Sequence, residues 1–193
     1  MHVTGARNAM GELTEHFSAY QAGDRSAFDR IFAALYPDLT RLARARLRGG
    51  MRMTLVDTSG LVHECYMRFL KAGEVQVENR AHFFAYSARV MRSVIVDCAR
   101  QRQAEQRGGG LAKVTLDTNI AENVAAAEDQ VLELAQAIDA LAKLDERLAT
   151  VVEMRFFAGF TEAEIAGFLG VTERTVRRDF EKARLLLASS LGK

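Results

Sequence analysis

FTEAEIAGFLGVTERTVRRDFEKARLLL, residues 160–187, contains two helix starts and one helix stop in a short span. Thr161 followed three residues later by Glu164 is a capping box, in which each side chain satisfies a backbone N–H at the start of a helix. Ile165, Phe168 and Leu169 form the apolar side of that helix. Gly170 falls where the chain must leave it, at a position that favours positive φ. Thr172 then caps a second helix with an apolar stripe of Val176, Phe180, Ala183 and Leu187. Small Ala166 sits where the two helices approach, Gly170 lies in the turn, and Val176 is wedged back into the core. This is the spacing of a helix-turn-helix. The other faces of the second helix carry Arg174, Thr175, Arg177, Arg178, Lys182 and Arg184. Arg174, Thr175 and Arg178 are placed for base edges in a major groove, Arg177, Lys182 and Arg184 for phosphates, and Thr172 at the cap joins the DNA-binding set. A plain helical hairpin with a solvated basic face is the alternative. Agreement of cap, glycine, small and apolar positions in one register favours DNA binding.

Outward from this motif the chain remains helical in character. It has 193 residues, 49% of them hydrophobic and 26% charged, enough for one large or two small cores. A single Pro and no Trp argue against the frequent turns of a sandwich or barrel. Helical spacing recurs in Phe28, Ile31, Phe32 and Leu35, in Leu39, Leu42 and Leu47, in Leu61, Val62, Cys65, Tyr66, Phe69 and Leu70, and in Phe84, Ala88, Met91, Ile95 and Cys98. Breaks are expected at Gly23-Asp24, at Tyr36-Pro37 and at Gly49-Gly50. From Arg107 to about Ala127 the pattern fails and Gly108-Gly109-Gly110 opens a flexible linker; it resumes with Val131, Leu134, Ile138 and Leu141. The fold class is therefore all-α: two small helical domains, 12–106 and 131–191, joined by a flexible acidic linker over 107–130, the second domain ending in the helix-turn-helix.

Several function classes are disfavoured. Cys65 and Cys98 lie far apart with no CxxC, so neither a disulfide framework nor a zinc cluster is indicated. No apolar run suits a secretion signal or a membrane span, which makes a cytoplasmic protein with no membrane partner the expectation. His63-Glu64 resembles the start of HExxH, but Met67 stands where the second His is required. The triple glycine lacks the Lys-Ser/Thr of a nucleotide loop. No enzyme activity, metal or cofactor is expected.

The whole-chain plan resembles the bacterial sigma-70 family, specifically its extracytoplasmic function (ECF) group. The resemblance rests on QAGDRSAFDRIFAALYPDLTRLA (21–43), LVHECYMRFL (61–70), AHFFAYSARVMRSVIVDCARQR (81–102) and LDERLATVVEMRFFAGFTEAEIAGFLGVTERTVRRDFEKAR (144–184), in the family's order. It implies a factor that binds core RNA polymerase, through the β′ coiled coil and the β flap, and directs initiation at promoter DNA. The Leu61–Lys71 helix matches the segment that docks on the β′ coiled coil, leaving Glu64, Met67, Arg68 and Lys71 for the partner face together with Asp57 before it. The 81–106 helix resembles the reader of the −10 element, where bases leave the duplex and cations hold the strand. Arg80, His82, Arg89, Arg92, Arg100 and Arg102 are its candidates, while the spacing of Phe83 and Phe84 assigns them to the core. Arg41, Arg44, Arg46, Arg48 and Arg52 add another basic segment. The recognition helix corresponds to the reader of the −35 element. Asp117, Glu122, Glu128 and Asp129 make the linker negative, suited either to a positively lined polymerase channel or simply to solubility.

One departure stands out. Before LVHECYMRFL the family pattern is approximately D-A-E-D, whereas this chain has Asp57-Thr58-Ser59-Gly60. Phosphorylation of Thr58 or Ser59 would restore negative charge at a helix N-terminus, with a Ser/Thr protein kinase as a further partner; otherwise either residue simply caps the helix. An anti-sigma partner is neither required nor excluded. The rival reading is a helix-turn-helix regulator that binds duplex operators without acting as a polymerase subunit. Its weak point is not the formal charge of +1. Basic runs over 41–52, 89–107 and 174–184 are offset by an acidic stretch over 117–146, so near-neutrality is a sum of opposed segments.

Overall fold

The computed structural model describes residues 3–48, 58–72, 75, 77–107 and 118–190. Among these every regular element is a helix: α1 (Val3–Gln21), α2 (Ser26–Arg48), α3 (Thr58–Ala72), α4 (Arg80–Arg107), α5 (Thr118–Leu144), α6 (Glu146–Phe156), α7 (Glu162–Leu169) and α8 (Glu173–Ser190). The expected break at Gly49-Gly50, the cation Arg52, Asp57 and the Gly108-Gly109-Gly110 opening lie outside the described residues, as do the side chains of Arg46 and Arg48.

Short polar side chains set the helix starts. Asp24 accepts the Ser26 N–H at 3.0 Å and closes the turn after α1, where Gly23 has φ 98°. Asn79 accepts the His82 N–H at 2.9 Å ahead of α4, and Asp145 accepts the Leu148 N–H at 3.2 Å ahead of α6. Each satisfies a donor that the first turn leaves without an intrahelical partner.

Two expectations are corrected. The chain does not break at Tyr36-Pro37: α2 runs through, with Pro37 inside it. Proline removes one N–H, but Ala33 and Pro37 both lie on the exposed face, where water can take the orphaned carbonyl. Phe32, Leu35, Leu39 and Leu42 stay buried on either side and hold the axis against the local preference. The second correction concerns the stretch from Thr118 to Ala127, which lacks periodicity yet forms the start of α5. Ala121, Ala125, Ala126 and Ala127 favour helix by intrinsic propensity without marking a face.

The first four helices enclose an aromatic centre in which Phe69 stacks on Phe83 at 5.5 Å and Phe28 lies 5.3 Å from Phe69. Phe83 and Phe84 are both buried. The last four helices pack around Ile138, Val151, Met154, Ile165 and Val176. These are parts of one contiguous buried cluster, because α4 packs against α5, α6 and α7 as well as α3. Phe84 of α4 meets Phe160 and Phe168 at 5.4 and 5.0 Å, so the start of α4 is roofed by the first helix of the 160–187 motif. No helix among the described residues is long and apolar enough to cross a membrane.

Candidate nucleic-acid interface

The α7–α8 pair is held by local chemistry. Thr161 Oγ1 accepts the Glu164 N–H while Glu164 accepts the Thr161 N–H at 2.9 Å, a complete capping box. Gly170 leaves α7 in the left-handed region, φ 64° and ψ 33°. Thr172 Oγ1 accepts the Thr175 N–H at 3.2 Å at the start of α8. Val176 and Ala183 are buried, as is Asp179 in the same stripe, where it accepts from Arg147 at 2.5 Å. That buried carboxylate has no counterpart in the expected apolar pattern. Its signal in the sequence is a single Asp among stripe positions.

With that stripe turned inward, the opposite face of α8 points to solvent. Arg174 is exposed, and so is Arg178, whose side chain is 76% accessible with a 3.6 Å contact to Asp179. Other members of the predicted set are engaged. Arg177 donates to Glu162 at 2.8 Å, and Glu162 also accepts from Arg155 at 2.7 Å. Hydrogen bonds from Arg155 and then Arg177 hold the Glu162 carboxyl below its ordinary value. Lys182 lies 3.7 Å from Asp145, and the Thr175 hydroxyl lies 2.9 Å from that of Thr172.

Along α4 the predicted cations meet a different environment. Arg80 pairs with Asp38 at 2.6 Å and lies over the rings of Phe84 and Phe168. His82 is exposed beside Glu78 at 3.5 Å, and Arg100 lies 3.7 Å from Asp97; Arg102 is half-buried. Arg89 and Arg92 do not face solvent freely. Arg89 donates to Glu146 at 2.7 Å and to Glu153 Oε2 at 3.3 Å. Arg92 reaches Asp139 at 2.8 Å, the Ala135 carbonyl at 3.1 Å and Glu153 Oε1 at 3.1 Å. Farther along, Gln103 donates to Asp129 at 2.5 Å. Burial pushes the Glu153 carboxyl above its ordinary value, against the pull of Arg92 and Arg89. Sequence reasoning missed Glu153; its signal is one carboxylate inside the otherwise uncharged run Leu148–Met154.

The third set lies on α3. Leu61, Val62, Cys65 and Phe69 are buried, and burial pushes the Cys65 thiol up to about 12. Glu64 and Met67 are half-buried and Lys71 is exposed. Arg68 crosses to α4, pairing with Asp97 at 2.8 Å and donating to the Ser93 hydroxyl. Thr58, half-buried, is the first residue of α3, with Ser59 and Gly60 exposed after it.

Comparison with known proteins bears on the chain as a whole. A family model described as ECF sigma factor matches residues 10–193. The ECF RNA polymerase sigma factor SigM of Mycobacterium tuberculosis, in the Erdman and H37Rv strains, is 28% identical over 182 residues, covering 92% of this chain and 84% of the relative. The match runs through α3, α4 and α8 alike, and the chain belongs to the family of ECF sigma factors: it binds core RNA polymerase and directs promoter-specific initiation of transcription.

Proposed function

We propose that the chain divides a promoter between two helices: the first turn of α8 enters the duplex major groove at the −35 element, and the cations of α4 hold the opened −10 element. On this reading 12–106 and 131–191 are two working domains joined by 107–130. The segment from Asp57 through α3, with Glu64, Met67, Arg68 and Lys71, meets the β′ coiled coil, and the second domain meets the β flap. The supporting observation is the outward placement of Arg174 and Arg178 on a helix whose opposite stripe is buried. A helix fixed in this way can present cations to a groove without reorganising. Run-off transcription with purified core polymerase on promoters of the same genome tests it. Specific transcripts are expected with the phosphomimetic Thr58→Glu, with Arg174→Ala/Arg178→Ala in that background reducing them at least tenfold, about 1.4 kcal/mol. Absence of a specific transcript from both the unmodified chain and Thr58→Glu overturns the reading.

Polymerase binding is further proposed to be switched on by a Ser/Thr kinase acting at Thr58, with Ser59 as the alternative acceptor. Thr58 opens α3 and is partly accessible, and a phosphate there adds about −1.5 to −2 charge where the family pattern is acidic and the helix dipole favours an anion. A core-binding assay expects Thr58→Glu to bind more tightly than the unmodified chain and Thr58→Ala. Equal affinity for all three removes the proposal.

A further inference from the structure

Asp179 puts a negative charge on the inward stripe of the helix that carries Arg174 and Arg178. It is 7% exposed and lies between Val176 and Ala183, both buried. Its Oδ2 accepts from Arg147 of α6 at 2.5 Å, and its Oδ1 lies 3.6 Å from Arg178. One turn further along α8, Lys182 comes within 3.7 Å of Asp145, the cap of α6. The helical period places Asp179 and Lys182 on one flank of the Val176 stripe, and on the other flank Arg177, which donates to Glu162 of α7.

Burial of the stripe does not by itself decide how α8 is turned about its axis, because hydrophobic attraction is non-directional. Hydrogen bonds between charged groups are short and directional. The pairs of Arg177 and Lys182 involve side chains that are more than half exposed, so they are screened and weak. Asp179 is held away from water, and the constraint falls on its bond to Arg147. Stability alone does not call for such a pair, since well-packed apolar side chains in its place are often at least as stabilising. What it adds is one orientation. We propose that Arg147 and Asp179 are positioning residues for the −35 element: their pair fixes the rotation of α8, and so decides that Arg174, Thr175 and Arg178 meet base edges, while neither member of the pair touches a base. The inference rests on the reading of α8 as the helix that enters the groove. The tolerance is narrow. Turning a helix by about 20° moves an atom about 6 Å from its axis by roughly 2 Å, well beyond the spread of about 0.5 Å in hydrogen-bond length.

The test is run-off transcription by core polymerase with the full chain, in whichever of its unmodified and Thr58→Glu forms transcribes, on two templates that carry the same promoter with its −35 element intact or scrambled. The quantity read is the ratio of transcripts from the two. Arg147→Met/Asp179→Leu replaces the pair by apolar side chains, and its melt shows whether it is folded. The ratio is expected to fall at least tenfold. A pair that merely held the domain together, or an Arg147 that merely contacted a phosphate, would weaken both templates alike and leave the ratio where it was. Arg147→Asp/Asp179→Arg restores the pair with its polarity exchanged and is expected to bring the ratio back to within threefold of its starting value. An unchanged ratio in the folded apolar variant overturns the proposal. So does a fall that the exchanged pair leaves uncorrected, since that assigns the effect to the carboxylate beside Arg178. Should the apolar variant fail to fold, Asp179→Asn replaces it, with a fall of threefold or more expected and parity overturning. Arg174→Ala/Arg178→Ala separates the two levels. If it brings the ratio to one while the apolar variant preserves it, the orienting role is wrong and the reading of α8 stands. A ratio that survives loss of both arginines removes that reading and the inference with it, as does failure of both forms to transcribe.

Discussion

Gly170 turns the chain from α7 into α8 with φ 64°, and no heavy atom beyond the glycine and its two chain neighbours comes within 4 Å of where a Cβ would stand. The demand on this residue is therefore one of backbone conformation alone, since an L side chain disfavours the left-handed region through its own carbonyl. Gly170→Ala is expected to cost about 1–2 kcal/mol in urea denaturation without altering the packing of Val176. A neutral result would mean that the turn adopts another conformation. The same kind of local reasoning identifies Thr161, Glu164 and Thr172, whose capping partners lie three residues away. It fails for Asp179 and Glu153. Each reads as a solvated carboxylate, and only the arginine that approaches from another helix makes its burial tolerable.

α2 is where an element overrides its own sequence. A proline inside a helix forfeits a hydrogen bond and crowds the preceding turn, at a cost of about 3 kcal/mol in an isolated helix. The Phe28 to Leu42 stripe, packed against α1 and α3, outweighs that cost. Pro37→Ala should stabilise the chain by about 1–3 kcal/mol, read as a rise in the thermal or urea midpoint; no rise would show that the proline carries no net cost at this exposed position. In α8 the element and its sequence agree. Its buried stripe and its basic face are separated by the helical period, and so the two faces of α8 are legible in its residues alone. α4 is intermediate: its apolar stripe and its cations are both legible, but not which cations face outward.

Packing of α4 against α5, α6 and α7 merges the two halves into one core, and the expected cooperativity follows from that. All four tyrosines, Tyr20, Tyr36, Tyr66 and Tyr86, lie in the first half, and there is no Trp. Tyrosine fluorescence therefore reports the first half alone, while far-UV circular dichroism reports both. The two melts of the unaltered chain should coincide, and should separate in Glu153→Gln; separate melts in the unaltered chain would mean that the halves are independent. The family, the all-helical class, the α7–turn–α8 pair and the opposition of basic and acidic segments were all legible in the residues, because caps, glycine turns and helical periods act within a few positions. Pairing between α4 and the acidic face was not. The partners of Arg89 and Arg92 lie 43 to 64 residues away, and no local rule brings a distant carboxylate to a given guanidinium. Sequence assigned the charges to their helices. Folding chose which of them neutralise one another, since that choice depends on long-range burial and on the desolvation of both partners at once.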